Sequence, residues 1–97
     1  MKHDPKIYNV DVDDHLCEEV CFTPEECLNA TPVKEWIDWT NEKFETDYIV
    51  ICTARRHSLY MSTIKWLEEH KVHFHSTCFN SKPPGTIVDR RAENSTK

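Results

Sequence analysis

Asp11 and Asp13 stand one residue apart, directly after the apolar-leaning run Ile7-Tyr8-Asn9-Val10. Two carboxylates at the end of a strand make poor structure on their own. On a continuing strand their side chains point opposite ways, and each costs energy to desolvate. They suit a divalent cation beside a reacting phosphate, because a hard cation such as Mg²⁺ takes oxygen ligands and a carboxylate also serves as a nucleophile. Two more polar residues close strand-like runs: Thr53 follows Ile51-Cys52, and Asp89 follows Ile87-Val88. In open parallel sheets, ligands bind beyond the carboxyl ends of the strands. Taken singly, the aspartates read equally well as loop caps and Thr53 as a helix cap. Carboxylate, hydroxyl and carboxylate at three separate strand ends read as an active site.

One local basic cluster lies beside Thr53: Arg55, Arg56 and His57. It reads either as a solvated loop before a helix or as a clamp on a second phosphate, for which the bidentate guanidinium is well suited. Cys17, Cys21 and Cys27 invite a zinc site with His70, His73 or His75, but no CxxC spacing is present. Five cysteines is an odd, irregularly spaced set, which favours reduced thiols and a cytoplasmic protein over a disulfide scaffold.

These residues need a frame to bring them together. Residues 6–10 read as a first strand. Thr23-Pro24-Glu25-Glu26 is a capping-box pattern with proline at the first helical position, so a short helical turn is expected at 24–28. Thr31-Pro32 opens a longer helix with a buried stripe of Val33, Trp36, Ile37, Thr40 and Phe44. Residues 47–52 (DYIVIC) read as a central strand covered on both faces. A helix is expected over 58–70 with Tyr60, Ile64 and Leu67 inward, followed by a weaker strand at 73–78 that carries His73 and His75, and a short strand at 86–88. Cys52 reads as core, and Trp36, Trp39 and Trp66 as helix packing. The alternation predicts an α/β fold with a short parallel sheet. The link from 79 to 85 is too short for a helical crossover, which needs about a dozen residues.

The 97 residues make one domain. A formal net charge of −5 argues against non-specific nucleic-acid binding, which needs a basic face. No apolar run approaches the roughly 20 residues that span a bilayer, and no signal region follows the N-terminus. The single glycine, Gly85, excludes the dinucleotide fingerprint and the glycine-rich phosphate loop. A phosphate site must then rest on side chains and non-glycine amides.

In this frame, Asp11-Val12-Asp13-Asp14-His15-Leu16 resembles the DxDGTL motif of the haloacid dehalogenase (HAD) superfamily of phosphatases. Thr53 resembles its second motif, Lys82 its third-motif lysine, and Val88-Asp89-Arg90-Arg91-Ala92 its acidic fourth motif. The resemblance runs over nearly the whole chain and is nearest to small, capless members. It implies a minimal Rossmann-like HAD fold with strand order 4-1-2-3. Asp11 would be the nucleophile and Asp13 the general acid and base. Thr53 and Lys82 would hold the phosphoryl group, joined by Arg55. Asp11, Asp13 through its backbone carbonyl, and Asp89 would hold Mg²⁺. The implied activity is a phosphomonoesterase acting on a small phosphorylated metabolite, a nucleotide or a nucleic-acid end. An uncapped site also leaves room for an oligomer that closes it, with residues 15–30 as the insertion that could shade it. Asp14 stands where the family has glycine, His15 where it has threonine, and Arg90 where it has a second acid. Those departures give the competing expectation of a catalytically weakened domain that binds a phosphorylated ligand or a protein.

Overall fold

The computed structural model describes residues 4–80 and the strand Ile87–Val88. The chain runs β1 (Ile7–Val10), α1 (Pro24–Leu28), α2 (Lys34–Phe44), β2 (Tyr48–Thr53), a single 3-10 turn at His57–Leu59, α3 (Tyr60–Glu69), β3 (Ser76–Phe79) and β4 (Ile87–Val88). It is an α/β fold in which helices pack on a parallel sheet. β1 pairs with β2 from Ile7↔Tyr48 to Val10↔Ile51, and β2 with β3 from Val50↔Ser76 to Thr53↔Phe79. The two-residue β4 pairs with the other side of β1, so the sheet reads β3-β2-β1-β4. Lys82, Asp89, Arg90, Arg91 and the 79–85 link beyond Asn80 lie outside the described residues.

The two helical crossovers, β1 to β2 and β2 to β3, step the same way across the sheet. Right-handed connection therefore sets both over one face. That face carries Tyr8, Val10, Ile49 and Ile51, which enter one core with Trp36, Ile37, Trp66 and Leu67. The expectation of β2 covered on both faces is met in part: on the second face Cys52 is buried, but Val50 is half-buried and Tyr48 exposed, so cover there is partial.

Local chemistry explains the element ends. At α1 the Thr23 hydroxyl accepts from the Glu26 N–H at 3.1 Å, with Pro24 at the first turn, as the capping pattern predicts. α2 begins later than Thr31-Pro32 suggested. Pro32 bridges antiparallel to Cys17, and the Val33 N–H donates to the Leu16 carbonyl at 2.8 Å. The chain is thus held extended until Lys34. Trp36, Ile37 and Thr40 then bury the expected stripe.

α3 buries Leu67 and packs a half-buried Ile64 against the core as expected, but its inner face is wider: Ser62, Thr63 and Trp66 are buried too, and Tyr60 is exposed. Two polar contacts fix that face: the Trp66 indole N–H donates to the Ala30 carbonyl at 2.9 Å, and Thr63 accepts from Arg55 at 2.8 Å. His73 and His75 precede β3. The His75 Nδ1 accepts the Ile49 N–H at 3.0 Å, and its ring stacks on Phe44 and Tyr48. No helix among the described residues is long and apolar enough to cross a membrane.

Candidate functional site

The parallel register brings the ends of β1 and β2 side by side. Asp11 follows Val10, whose partner is Ile51, and Thr53 is the last residue of β2. Beyond Asp11 the chain makes one tight turn. The Val12 carbonyl accepts from the N–H groups of His15, Leu16 and Cys17 at 3.0–3.2 Å. Asp14 completes the turn with φ 56°, the left-handed region that glycine enters most easily. Asp is among the few other residues that enter it as single positions. Asp14→Gly should therefore stabilise the fold by up to about 1 kcal/mol, and Asp14→Val should destabilise it by at least that much. Chemical denaturation reads both, and equal midpoints for the two variants would contradict the assignment.

The turn gives the two aspartates different partners. Asp11 Oδ1 accepts the Val12 N–H at 2.8 Å, which orients the carboxylate at the strand end. Asp13 turns inward. Its Oδ1 accepts from Arg55 Nε at 2.9 Å, from Arg55 Nη2 at 2.6 Å and from the Cys21 N–H at 3.2 Å. Arg55 in turn donates from Nη1 to the Thr63 hydroxyl at 2.8 Å, and its Nη2 lies 3.7 Å from the Cys17 sulfur. The Arg55 side chain is only 2% exposed and that of Asp13 16%. Burial opposes the charge on Arg55. The hydrogen bonds and negative charge of Asp13 outweigh it and raise the guanidinium above its ordinary pKa.

Thr53 is buried, and its hydroxyl accepts the Arg55 N–H at 3.1 Å, which leaves the hydroxyl proton to donate. The structure therefore gathers Asp11, Asp13, Thr53 and Arg55. Arg55 is set against Asp13 rather than free in solvent. Thr63, which anchors Arg55 from α3, was not visible in the sequence. Its only signal is a polar residue on a helix face that otherwise packs inward. Hard oxygen donors at the β1 end suit Mg²⁺: the Asp11 carboxylate and the Asp13 main-chain carbonyl. Of the Asp13 carboxylate, Oδ1 is engaged by Arg55 and the Cys21 N–H.

The thiols form a different cluster. Ligand atoms of Asp13, Cys17 and Cys21 all lie within 4.8 Å of one another, while Cys27 and the histidines are not part of the group. Arg55 already places a cation against Asp13 and Cys17, which disfavours a metal there. Burial pushes the Cys17 thiol up to about 11 and the Cys21 thiol up to about 12, from an ordinary 9.0. Both are inert neutral thiols at neutral pH. The neutral form is favoured in the folded state, so this stability is intact below about pH 9 and is lost as pH rises toward 11 and 12. The slope should be about 1.4 kcal/mol per pH unit per thiol. A guanidinium series between neutral and alkaline pH measures it, and a Cys17→Ala/Cys21→Ala chain should flatten the profile. An equally steep profile in that variant would assign the loss to other groups.

The loop after the turn is tied down on its far side. The Glu18 N–H donates to the Thr31 carbonyl at 2.9 Å, and the Glu19 carboxylate accepts both the Thr31 N–H and hydroxyl. These bonds from Thr31 hold the Glu19 carboxyl below its ordinary range. A cleft of about 450 Å³ opens between this loop and the 54–59 segment, with Asp13 and Arg55 at its floor. Its walls include Val20, Phe22, Ala54, Arg56 and Leu59.

No protein-family model matches the chain, and no curated protein matches it. Among solved structures it is similar to a chain in the structure of the Pnkp1/Rnl/Hen1 complex, with a TM-score of 0.70 and 12% identity over 96% of this chain and 36% of that one. It thus spans about a third of that protein. It is also similar to a crystal structure of a target from Vibrio cholerae, with a TM-score of 0.64 and 21% identity over 90% of this chain and 82% of that one. At such identities the likeness is one of fold.

Proposed function

We propose that the chain is a Mg²⁺-dependent phosphomonoesterase on a minimal Rossmann-like HAD fold, acting through an aspartyl-phosphate. One observation carries the reading: Asp11 and Thr53 stand at the carboxyl ends of adjacent parallel strands, with Asp13 in the turn just beyond, and the two aspartates have different hydrogen-bond partners.

In this mechanism an Asp11 carboxylate oxygen attacks phosphorus in line with the ester oxygen. The new bond is Asp11 O–P, and the bond that breaks is P–O of the ester. The departing oxygen takes a proton from Asp13. Water then attacks the phosphorus of the aspartyl-phosphate, Asp13 takes its proton, and phosphate leaves with Asp11 restored. Asp13 Oδ1 is held by Arg55 and Cys21, so Oδ2 carries the proton. The Thr53 hydroxyl donates to a non-bridging oxygen, and Lys82 adds charge. Mg²⁺ held by Asp11, the Asp13 carbonyl and Asp89 supplies further charge neutralisation when bound.

The test is a panel of phosphate esters assayed with Mg²⁺ and with a chelator. Turnover that requires the metal is expected. The pairing of Arg55 with Asp13 also favours a second reading, a domain weakened in acid–base chemistry that binds a phosphorylated ligand or a partner. No turnover on any ester, with binding retained, would decide for it.

A further inference from the structure

The cleft above Asp13 is unevenly built. Beside its floor, the loop side presents Val20 and Phe22, which are 50% and 77% exposed. Ala54 and Leu59 line the same space from the other strand end. Phe22 sits just before the Thr23 helix cap, where an apolar residue commonly folds back onto the fourth helical residue. Here that residue, Cys27, is buried without it. The Phe22 N–H donates to the Glu26 carboxylate at 2.7 Å, which fixes the backbone, and the ring stands in solvent. An aromatic ring displayed at a cleft that also carries Asp13 gains from a flat partner. A sugar hydroxyl set against Val20, Phe22, Ala54 and Leu59 would lose its hydrogen bonds to water. Among the described residues the cleft also carries one exposed cation, Arg56, whose neighbour Arg55 is directed inward.

We infer that Phe22, with Val20, forms a leaving-group subsite for an aromatic base, and that Arg56 receives a second anionic group on the same ligand. The substrate class is a nucleotide or the phosphorylated end of a short strand, bound by stacking and charge. A volume of about 450 Å³ falls within the range of ordinary ligand pockets. The inference rests on the phosphatase reading for its chemistry but not for its binding.

Its test is calorimetric titration of the full Asp11→Asn chain, in which ligand is not consumed. Adenosine monophosphate should bind about fivefold or more tightly than ribose 5-phosphate, the low end of base–aromatic stacking. Phe22→Leu should erase that preference and Phe22→Trp should restore it. Adenosine 3′,5′-bisphosphate should gain over the monophosphate, and Arg56→Ala should remove that gain. A phosphorylated trinucleotide run beside these compares a strand end with a free nucleotide. Equal affinity for adenosine monophosphate and ribose 5-phosphate, a preference that survives Phe22→Leu, or no binding of either overturns the subsite. The ester panel fails separately. Turnover of sugar phosphates without nucleotide preference keeps the phosphatase and removes the subsite, whereas nucleotide binding without turnover does the reverse.

Discussion

Asp11→Asn should lower turnover at least a thousandfold while leaving the fold within about 1 kcal/mol of the parent. The substitution is isosteric, and the amide oxygen still accepts the Val12 N–H that orients the side chain. What it removes is the negative charge and the nucleophilic oxygen. A neutral amide does not form the acyl-phosphate bond, so the loss falls on kcat rather than on the ligand's affinity. The parent chain offers a direct check on the covalent step. Borohydride reduces an acyl phosphate to the alcohol, so quenching during turnover should convert Asp11 to homoserine, read by peptide mass spectrometry. If Asp11→Asn keeps more than about a tenth of the parent rate, Asp11 is not the nucleophile. Water activated by Asp13 would then be the attacking group, at a cost to be sought in Asp13→Asn.

The sequence made the frame and the β1 end legible for physical reasons. Asp11 and Asp13 are unusual because carboxylates after a buried run need a partner. The capping pattern at Thr23 is local chemistry, and α1 starts where it says. The left-handed turn at Asp14 follows from the few residues that tolerate it. The errors have one common cause, which is contact over long sequence separation. α2 starts at Lys34 because Leu16 and Cys17 hold residues 32–33 extended. α3 leaves Tyr60 exposed because Trp66 is bonded to the Ala30 carbonyl and Thr63 to Arg55, which turns their side of the helix inward. Arg55 reads as a loop cation in a basic cluster. It is instead 42 residues from its partner and is drawn inward by Asp13 and Thr63. Phe22 is illegible for the opposite reason: an aromatic residue beside a helix cap is expected to pack, and only the structure displays it in solvent.

Removing Asp13 should be the most destabilising single change at this site. Asp13→Ala strands Arg55, whose side chain is 2% exposed and whose Nε and Nη2 both point at Asp13 Oδ1. An uncompensated charge at such depth costs about 3–5 kcal/mol. A domain of this size loses roughly 4–8 °C of melting temperature per kcal/mol, so a fall on the order of 20 °C is expected. Arg55→Ala should cost less, because Asp13 lies nearer the cleft and regains water. Asp13→Asn keeps one acceptor oxygen and should fall between parent and Asp13→Ala. The double variant Asp13→Leu/Arg55→Met removes both charges and should recover much of the lost stability, since a well-packed apolar pair often matches a buried ion pair. That recovery separates the cost of a stranded charge from the worth of the pair. Turnover should not recover with it, because Asp13 has also to carry the proton of the leaving group. A fall of less than about 1 kcal/mol in Asp13→Ala would mean that Arg55 finds water, so that the pair is a loose surface contact. If instead the double variant regains both stability and turnover, Asp13 is a structural anchor for Arg55 and the leaving group departs without its help.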